Sequence, residues 1–172
     1  MGKDKTNNSV FIAGRMCSGN IRVERLSGTA DIIPVRGNGF LKNESVIISG
    51  RFKSENVGNR LCLFIVPDAV EYTKDNQQAN EIKLKGRICK KPTFRTTPQG
   101  RWICDLLVAV DGDDGDVDFV PCVAWGKNAV TASLHTVGTA VDICGRIQSR
   151  EYLKNGEIKT AYEVSINKIG TL

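Results

Sequence analysis

A chain of 172 residues has room for one large domain or two small ones, and its 41% hydrophobic content is that of an ordinary soluble fold. No apolar run approaches the length of a membrane span, and the polar start Met1–Asn8 lacks a signal-peptide core, so a cytoplasmic protein with no membrane contact is expected. The formal net charge of +5 understates how basic most of the chain is, because Asp111, Asp113, Asp114, Asp116 and Asp118 crowd into one stretch.

Residues 1–7 are expected to be disordered. Val10–Arg15 then reads as a strand ending in Gly-Arg, followed by a hairpin of Asn20–Leu26 and Asp31–Val35 around Ser27-Gly28. Ser45–Phe52 and Leu61–Val66 are the next strands, and the polar, aperiodic stretch Lys74–Asn80 reads as a linker. After it the chain begins again. Ile82–Arg87 repeats the opening strand with an offset of 72 (Gly86 minus Gly14), and Asp118–Pro121 echoes Asp31–Pro34 with an offset of 87 (Pro121 minus Pro34). Cys144–Ser149 echoes Ser49–Ser54 with an offset of 95. Three echoes in order indicate two copies of one β module, the second enlarged. Fifteen extra residues are expected between its first and third strands, lengthening their hairpin. Eight more follow the third strand, where Lys127–His135 forms a short helix ending near Gly138.

Five short strands with a helix between the third and fourth is the order of an OB-fold barrel. The expected architecture is all-β, with two tandem OB-folds: a reduced one over 8–74, a linker at 75–80 and a second over 81–172. The hairpin 104–123 is expected to project from the second barrel as a flexible arm, and Gly86, Gly126 and Gly145 to lie where a strand bends sharply or a ligand backbone approaches.

The second copy's strand Asp118–Lys127 has two unlike faces. Val120, Cys122 and Ala124 form a small apolar face fit for a core, while Phe119, Pro121, Val123 and Trp125 lie opposite. Along Ile143–Tyr152 the same parity puts Ile143, Gly145 and Ile147 inward and Cys144, Arg146, Gln148, Arg150 and Tyr152 outward. Aromatic and cationic groups turned off the core suit a flat, negatively charged ligand such as single-stranded nucleic acid. Packing of Phe119 and Trp125 under a helix or a second subunit is the alternative. Parity groups Trp102 with Cys104, Leu106 and Val108 in the core, and Tyr162 with Val164 and Ile166; Phe94 beside Arg95 fits either side.

Catalysis and metals find little support. The six cysteines are scattered without a CxxC pair, and His135 is the only histidine, with no nucleophile or base near it in sequence. The Asp-rich stretch fails the calcium-loop register, since the places for Gly and Glu counted from Asp111 hold Asp116 and Cys122. A solvated hairpin tip, reduced thiols, no cofactor and no enzymatic activity are expected.

The stretches Ile82–Arg87, Lys91–Gly100, Leu106–Val110, Asp118–Lys127 and Gly145–Tyr152 together resemble the bacterial single-stranded DNA-binding proteins across Glu81–Leu172. That resemblance implies base stacking by Phe119, Trp125 and Tyr152 and phosphate contacts by Arg95, Lys127 and Arg150; Arg146, on the outward face of its strand, is expected to neutralise the nucleic-acid backbone with them. It also implies a role in DNA replication, recombination or repair. Three departures stand out. The Asp-rich loop 111–116 occupies the place of the family's arm, and the first copy is an addition. The chain stops at Ile169–Leu172 without the family's acidic tail, so tail-mediated recruitment of replication proteins is not expected.

In the first copy, Ile32, Asn38 and Val57 stand where Phe119, Trp125 and Tyr152 stand in the second, so its aromatics are lost while Phe52 keeps the core place of Ile147. Relatives with one OB-fold per chain assemble four, so a two-fold chain is expected to reach four as a homodimer, with DNA affinity concentrated in 81–172. The alternative function is a protein-interaction adaptor of replication or restart with weak DNA affinity.

Overall fold

Alternation of apolar and polar side chains carries most of the chain into strands. The computed structural model describes residues 6–172. The first half forms β1 (Asn8–Cys17), β2 (Asn20–Glu24), β3 (Ala30–Pro34), β4 (Ser45–Val57) and β5 (Arg60–Thr73). The second forms β6 (Ala79–Ile88), β7 (Thr93–Thr96), β8 (Trp102–Asp111), β9 (Val117–Trp125), helix α1 (Lys127–Ser133), β10 (Ala140–Lys154) and β11 (Glu157–Thr171). The disorder expected for residues 1–5 lies outside the described residues. Asn7 is held in place, its carbonyl accepting the Lys85 amide at 2.8 Å.

Each copy closes the same circuit. In the first, β1 pairs with β2 and β4, β2 with β3, and β4 with β5, while Val35 just beyond β3 bridges Ile65 of β5 in parallel. In the second, β6 pairs with β8 and β10, β8 with β9, β9 with β11 in parallel, and β11 returns to β10. Registers repeat as well. Gly14 faces Val46 as Gly86 faces Val141, reproducing the offsets of 72 and 95. Ile21 faces Ile33 as Val108 faces Val120, both shifted by 87. Even the hairpin loops agree, with Arg25 N–H donating to Thr29 O and Gly112 N–H to Asp116 O, each at 2.7 Å. The fold is all-β, as the sequence led us to expect, and both circuits have the strand order of an OB-fold.

The repeated Gly-Arg motifs have a steric cause. A Cβ on Gly14 would lie 2.2 Å from the Arg22 carbonyl oxygen, and one on Gly86 2.3 Å from that of Ala109; Gly50 and Gly145 meet the oxygens of Val66 and Ser165 equally closely. Any side chain there would collide with backbone, so the motif marks where one strand crosses another tightly. Gly126 is different in kind, a sharp bend between β9 and α1. It stands at φ 58° with open space around it and is the N-cap residue of α1.

The insertion lies elsewhere than expected. Cys17 pairs with Asn20 across the tight turn Ser18-Gly19, whereas the equivalent Cys89 N–H reaches Leu107 O at 3.0 Å across residues 90–106. The extra length therefore sits between the first and second strands, where it builds β7 and a turn, and the β8–β9 loop is no longer than that of the first copy. Nor do residues 104–123 form a free arm: Leu106, Val108, Val110 and Val120 are buried in the core. Asp118 is not part of the solvated tip either; it belongs to β9 and is 2% exposed. The helix ends at Ser133, which leaves His135 in the following turn.

Two compact units are present, and they are not consecutive in sequence. One comprises Val10–Glu81 with Ile147–Glu163; the other comprises Ile82–Arg146, Val164–Leu172 and the stretch ending at Ser9. The linear division at 75–80 thus gives way to an interleaved one, and Ala79 and Asn80 already belong to β6. Asn80 explains part of this: its amide nitrogen donates to Ile147 O at 2.7 Å and its oxygen accepts the Ile147 amide at 2.9 Å. Within the same unit, the Arg25 guanidinium grips the buried Asp31 carboxylate through two nitrogens, and Asp31 also accepts the Ser149 amide at 3.0 Å.

Candidate nucleic-acid interface

Pairing on both sides fixes the outer face of β9. Phe119 lies opposite Ala109 and Trp125 opposite Ile103 across the β8–β9 ladder. Phe119 is half-buried, while Trp125, where the strand ends, is 37% exposed. Val123 shares their parity and was expected beside them, yet it is buried, because Asp105 of β8 and Ser165 of β11 flank it on both sides. Lys127, in the first turn of α1, is exposed and has no ion-pair partner among the described residues. Arg146, on β10, is half-buried.

Arg95, on β7, is exposed but bound: its Nε lies 2.8 Å from Asp105. Phe119, Trp125, Lys127, Arg146 and Arg95 all belong to the unit built on Ile82–Arg146. Tyr152 and Arg150 belong to the other unit. There Tyr152 is 37% exposed, with the Arg150 guanidinium carbon 5.8 Å from its ring centroid, within cation–π reach. Arg150 also meets Glu163 at 3.2 Å, and Glu163 accepts a bond from the buried Gln148 at 2.8 Å. Arg95 and Arg150 are thus each already seated on a carboxylate, whereas Lys127 has no ion-pair partner among the described residues.

Parity missed one aromatic. Trp102 was grouped with the core, but it opens β8 and is 49% exposed, with its ring centroid 6.4 Å from that of the exposed Phe94 on β7. It pairs with Thr96 at the end of the short β7, so no further strand covers it. The signal was present in the sequence: Gly100 and Arg101 precede Trp102, and a strand's first residue seldom obeys its alternation. Tyr162, also expected in the core, is half-buried, and burial raises its phenol above the ordinary range. All six cysteines are free, and burial pushes the Cys89 and Cys104 thiols up. Among the described residues no helix is long and apolar enough to cross a membrane, and no cluster of His, Cys, Asp and Glu is set to hold a metal ion.

The model of the single-strand binding protein family matches residues 79–172, more than half of the chain. The chain belongs to this family. A single-stranded DNA-binding protein of Clostridium tetani is 37% identical over 98 residues, covering 52% of this chain and 68% of that protein. Single-stranded DNA-binding protein B of Bacillus subtilis is 32% identical over 80 residues, covering 42% of this chain and 71% of that protein. In three dimensions the chain is similar to the wild-type single-stranded DNA binding protein from Thermus aquaticus, with a TM-score of 0.71 at 17% identity. That match covers 96% of this chain and 92% of the other, so it takes in both OB-folds of this family member and supports its fold.

Proposed function

We propose that this family member binds single-stranded DNA with little sequence preference and takes part in replication, recombination or repair as a binding protein rather than a catalyst. The observation that carries the reading is the exposed Trp125 at the end of β9, with Phe119 on the same strand at the same parity and Lys127, which has no ion-pair partner among the described residues, two residues on. A ring carried on a strand paired along its length to β8 is held ready for a base to stack on it, and every base offers a π-face. Tyr152 with Arg150 supplies a second aromatic and cationic spot on the other unit. Relatives named for single-stranded DNA binding support the choice of ligand.

Labelled oligonucleotides, single-stranded against duplex, test this directly. Binding confined to the single strand is expected. With about four phosphates neutralised by Arg95, Lys127, Arg146 and Arg150, log K should fall against log salt with a slope near −3, at roughly 0.7 per contact. A constant indifferent to salt would point instead to the adaptor reading. The carboxylates already seated on Arg95 and Arg150 favour that second reading, because they oppose phosphate binding.

The assembly follows the same reading. Two OB-folds per chain make four in a C2 homodimer in the cytoplasm. Light scattering is expected to give twice the 18.8 kDa chain mass; a strictly monomeric chain at micromolar concentration would refute it.

A further inference from the structure

The segment that most distinguishes the second OB-fold from the first is residues 90–106, which replace the turn Ser18-Gly19. It carries Phe94, Arg95, Arg101 and Trp102, none of which has a counterpart in the first copy. Backbone pairing from Thr93–Asp105 to Thr96–Trp102 folds it back as a short hairpin. Two large aromatics left exposed on such a hairpin oppose its stability in water unless something covers them.

Trp102 lines a cleft of about 440 Å³ together with Gly100, Arg101, Trp125 and Gly126. Its volume lies within the ~300–1,000 Å³ of small-ligand sites. Trp102 and Trp125 supply its aromatic lining, and two glycines leave it open. The Gly126 amide donates to Trp102 O at 3.0 Å, which fixes the ends of β8 and β9 relative to one another. Phe94 backs Trp102 from β7 at 6.4 Å. Arg101 is exposed, with no ion-pair partner among the described residues.

Charge along the β8–β9 hairpin points the same way. The Ile103–Trp125 pair and the Asp111–Val117 pair are eight residues apart, about 27 Å at ~3.4 Å per residue. Asp111, Asp113, Asp114 and Asp116 gather at the far end, where a phosphate backbone is repelled; Arg101 stands at the near end, where it is attracted. A strand lying on Trp125 is therefore drawn toward Trp102 and away from the loop.

Building on the single-strand reading above, we propose that the cleft between Trp102 and Trp125 seats one further unpaired nucleobase, with Trp102 as its stacking surface and Arg101 on the adjoining phosphate. The strand's track thereby extends past the end of β9 onto the inserted hairpin.

The chain has only two tryptophans, which makes the test specific. In Trp125→Phe, which keeps a ring beside the cleft, Trp102 is the sole indole. Titration with oligo-dT is expected to quench its emission and shield it from acrylamide. Trp102→Ala, judged folded by its far-UV spectrum, is expected to bind labelled oligo-dT about five- to a hundredfold more weakly than the parent. If the parent and Trp125→Phe bind while Trp102 emission and accessibility stay unchanged, and Trp102→Ala binds as tightly as the parent, the seat does not exist and the single-strand reading stands. If the parent itself binds no single strand, that reading falls, and the seat with it.

Discussion

Trp125→Ala is expected to weaken binding of oligo-dT by about five- to a hundredfold, corresponding to the roughly 1–3 kcal/mol that a stacked aromatic contributes per base. The ring stands where β9 ends and is exposed, so its loss removes a contact surface rather than a part of the core. Phe119, half-buried opposite Ala109, is a stricter companion: Phe119→Ala should weaken binding too, with a small cost in stability from lost packing. Fluorescence anisotropy on both variants, with circular dichroism as the folding control, measures the effect. Two folded variants that bind like the parent would remove the aromatic face of β9 from the interface.

Arg25→Ala is expected to destabilise the unit built on Val10–Glu81 by about 3 kcal/mol, the lower end of the ~3–5 kcal/mol typical of breaking a buried ion pair. Asp31 is 1% exposed and loses its two-nitrogen partner, while Arg25 itself kept partial access to water, which moderates the loss. Removing both groups, in Arg25→Ala with Asp31→Ala, should cost less than Arg25→Ala alone, because no uncompensated carboxylate is then left inside. Denaturant midpoints for the two single variants and the double test this. Equal midpoints for Arg25→Ala and the parent would reduce the pair to decoration. There is also a functional side. Asp31 holds the Ser149 amide, and the Ser149 hydroxyl accepts the Ile32 amide at 3.0 Å. Arg150 and Tyr152 follow within three residues, so loosening this clamp should blur their position.

The duplicated fold was legible because its signals are steric. Gly14, Gly50, Gly86 and Gly145 stand where a Cβ would strike backbone, and Asp31 and Asp118 are buried at equivalent places in both copies. Such positions leave fixed offsets in the sequence, and the strand registers reproduce them. What lay between those anchors was not legible. Nothing between Gly86 and Pro121 said where the fifteen additional residues go, so the insertion was assigned to the β8–β9 hairpin instead of to β7 and its turn. Parity served well for Phe119 and Trp125 and failed for Trp102 and Val123, for one reason. Alternation describes the two faces of a strand, whereas exposure also depends on what flanks each position, and Trp102 has only the short β7 beside it while Val123 has a strand on either side. The assignment of Tyr152 and Arg150 to the unit of the first copy had no local signal. It follows from pairings between residues more than sixty apart, such as Asn80 with Ile147 and Asp31 with Ser149.

The interleaving sets an order of events during synthesis. A ribosome that has delivered Val10–Glu81 has made five strands but not the segment Ile147–Glu163 that completes their unit. The circuit of β1–β5 can pair before then, but whatever Ile147–Glu163 adds to that unit comes only once residue 163 has left the exit tunnel, by which time most of the other unit has been made. A tandem duplication ordinarily yields beads that a protease can cut apart or a genome can shuffle singly. Here a cut near residue 76 would divide the chain between its repeats yet separate the first from Ile147–Glu163, which belongs to the same unit.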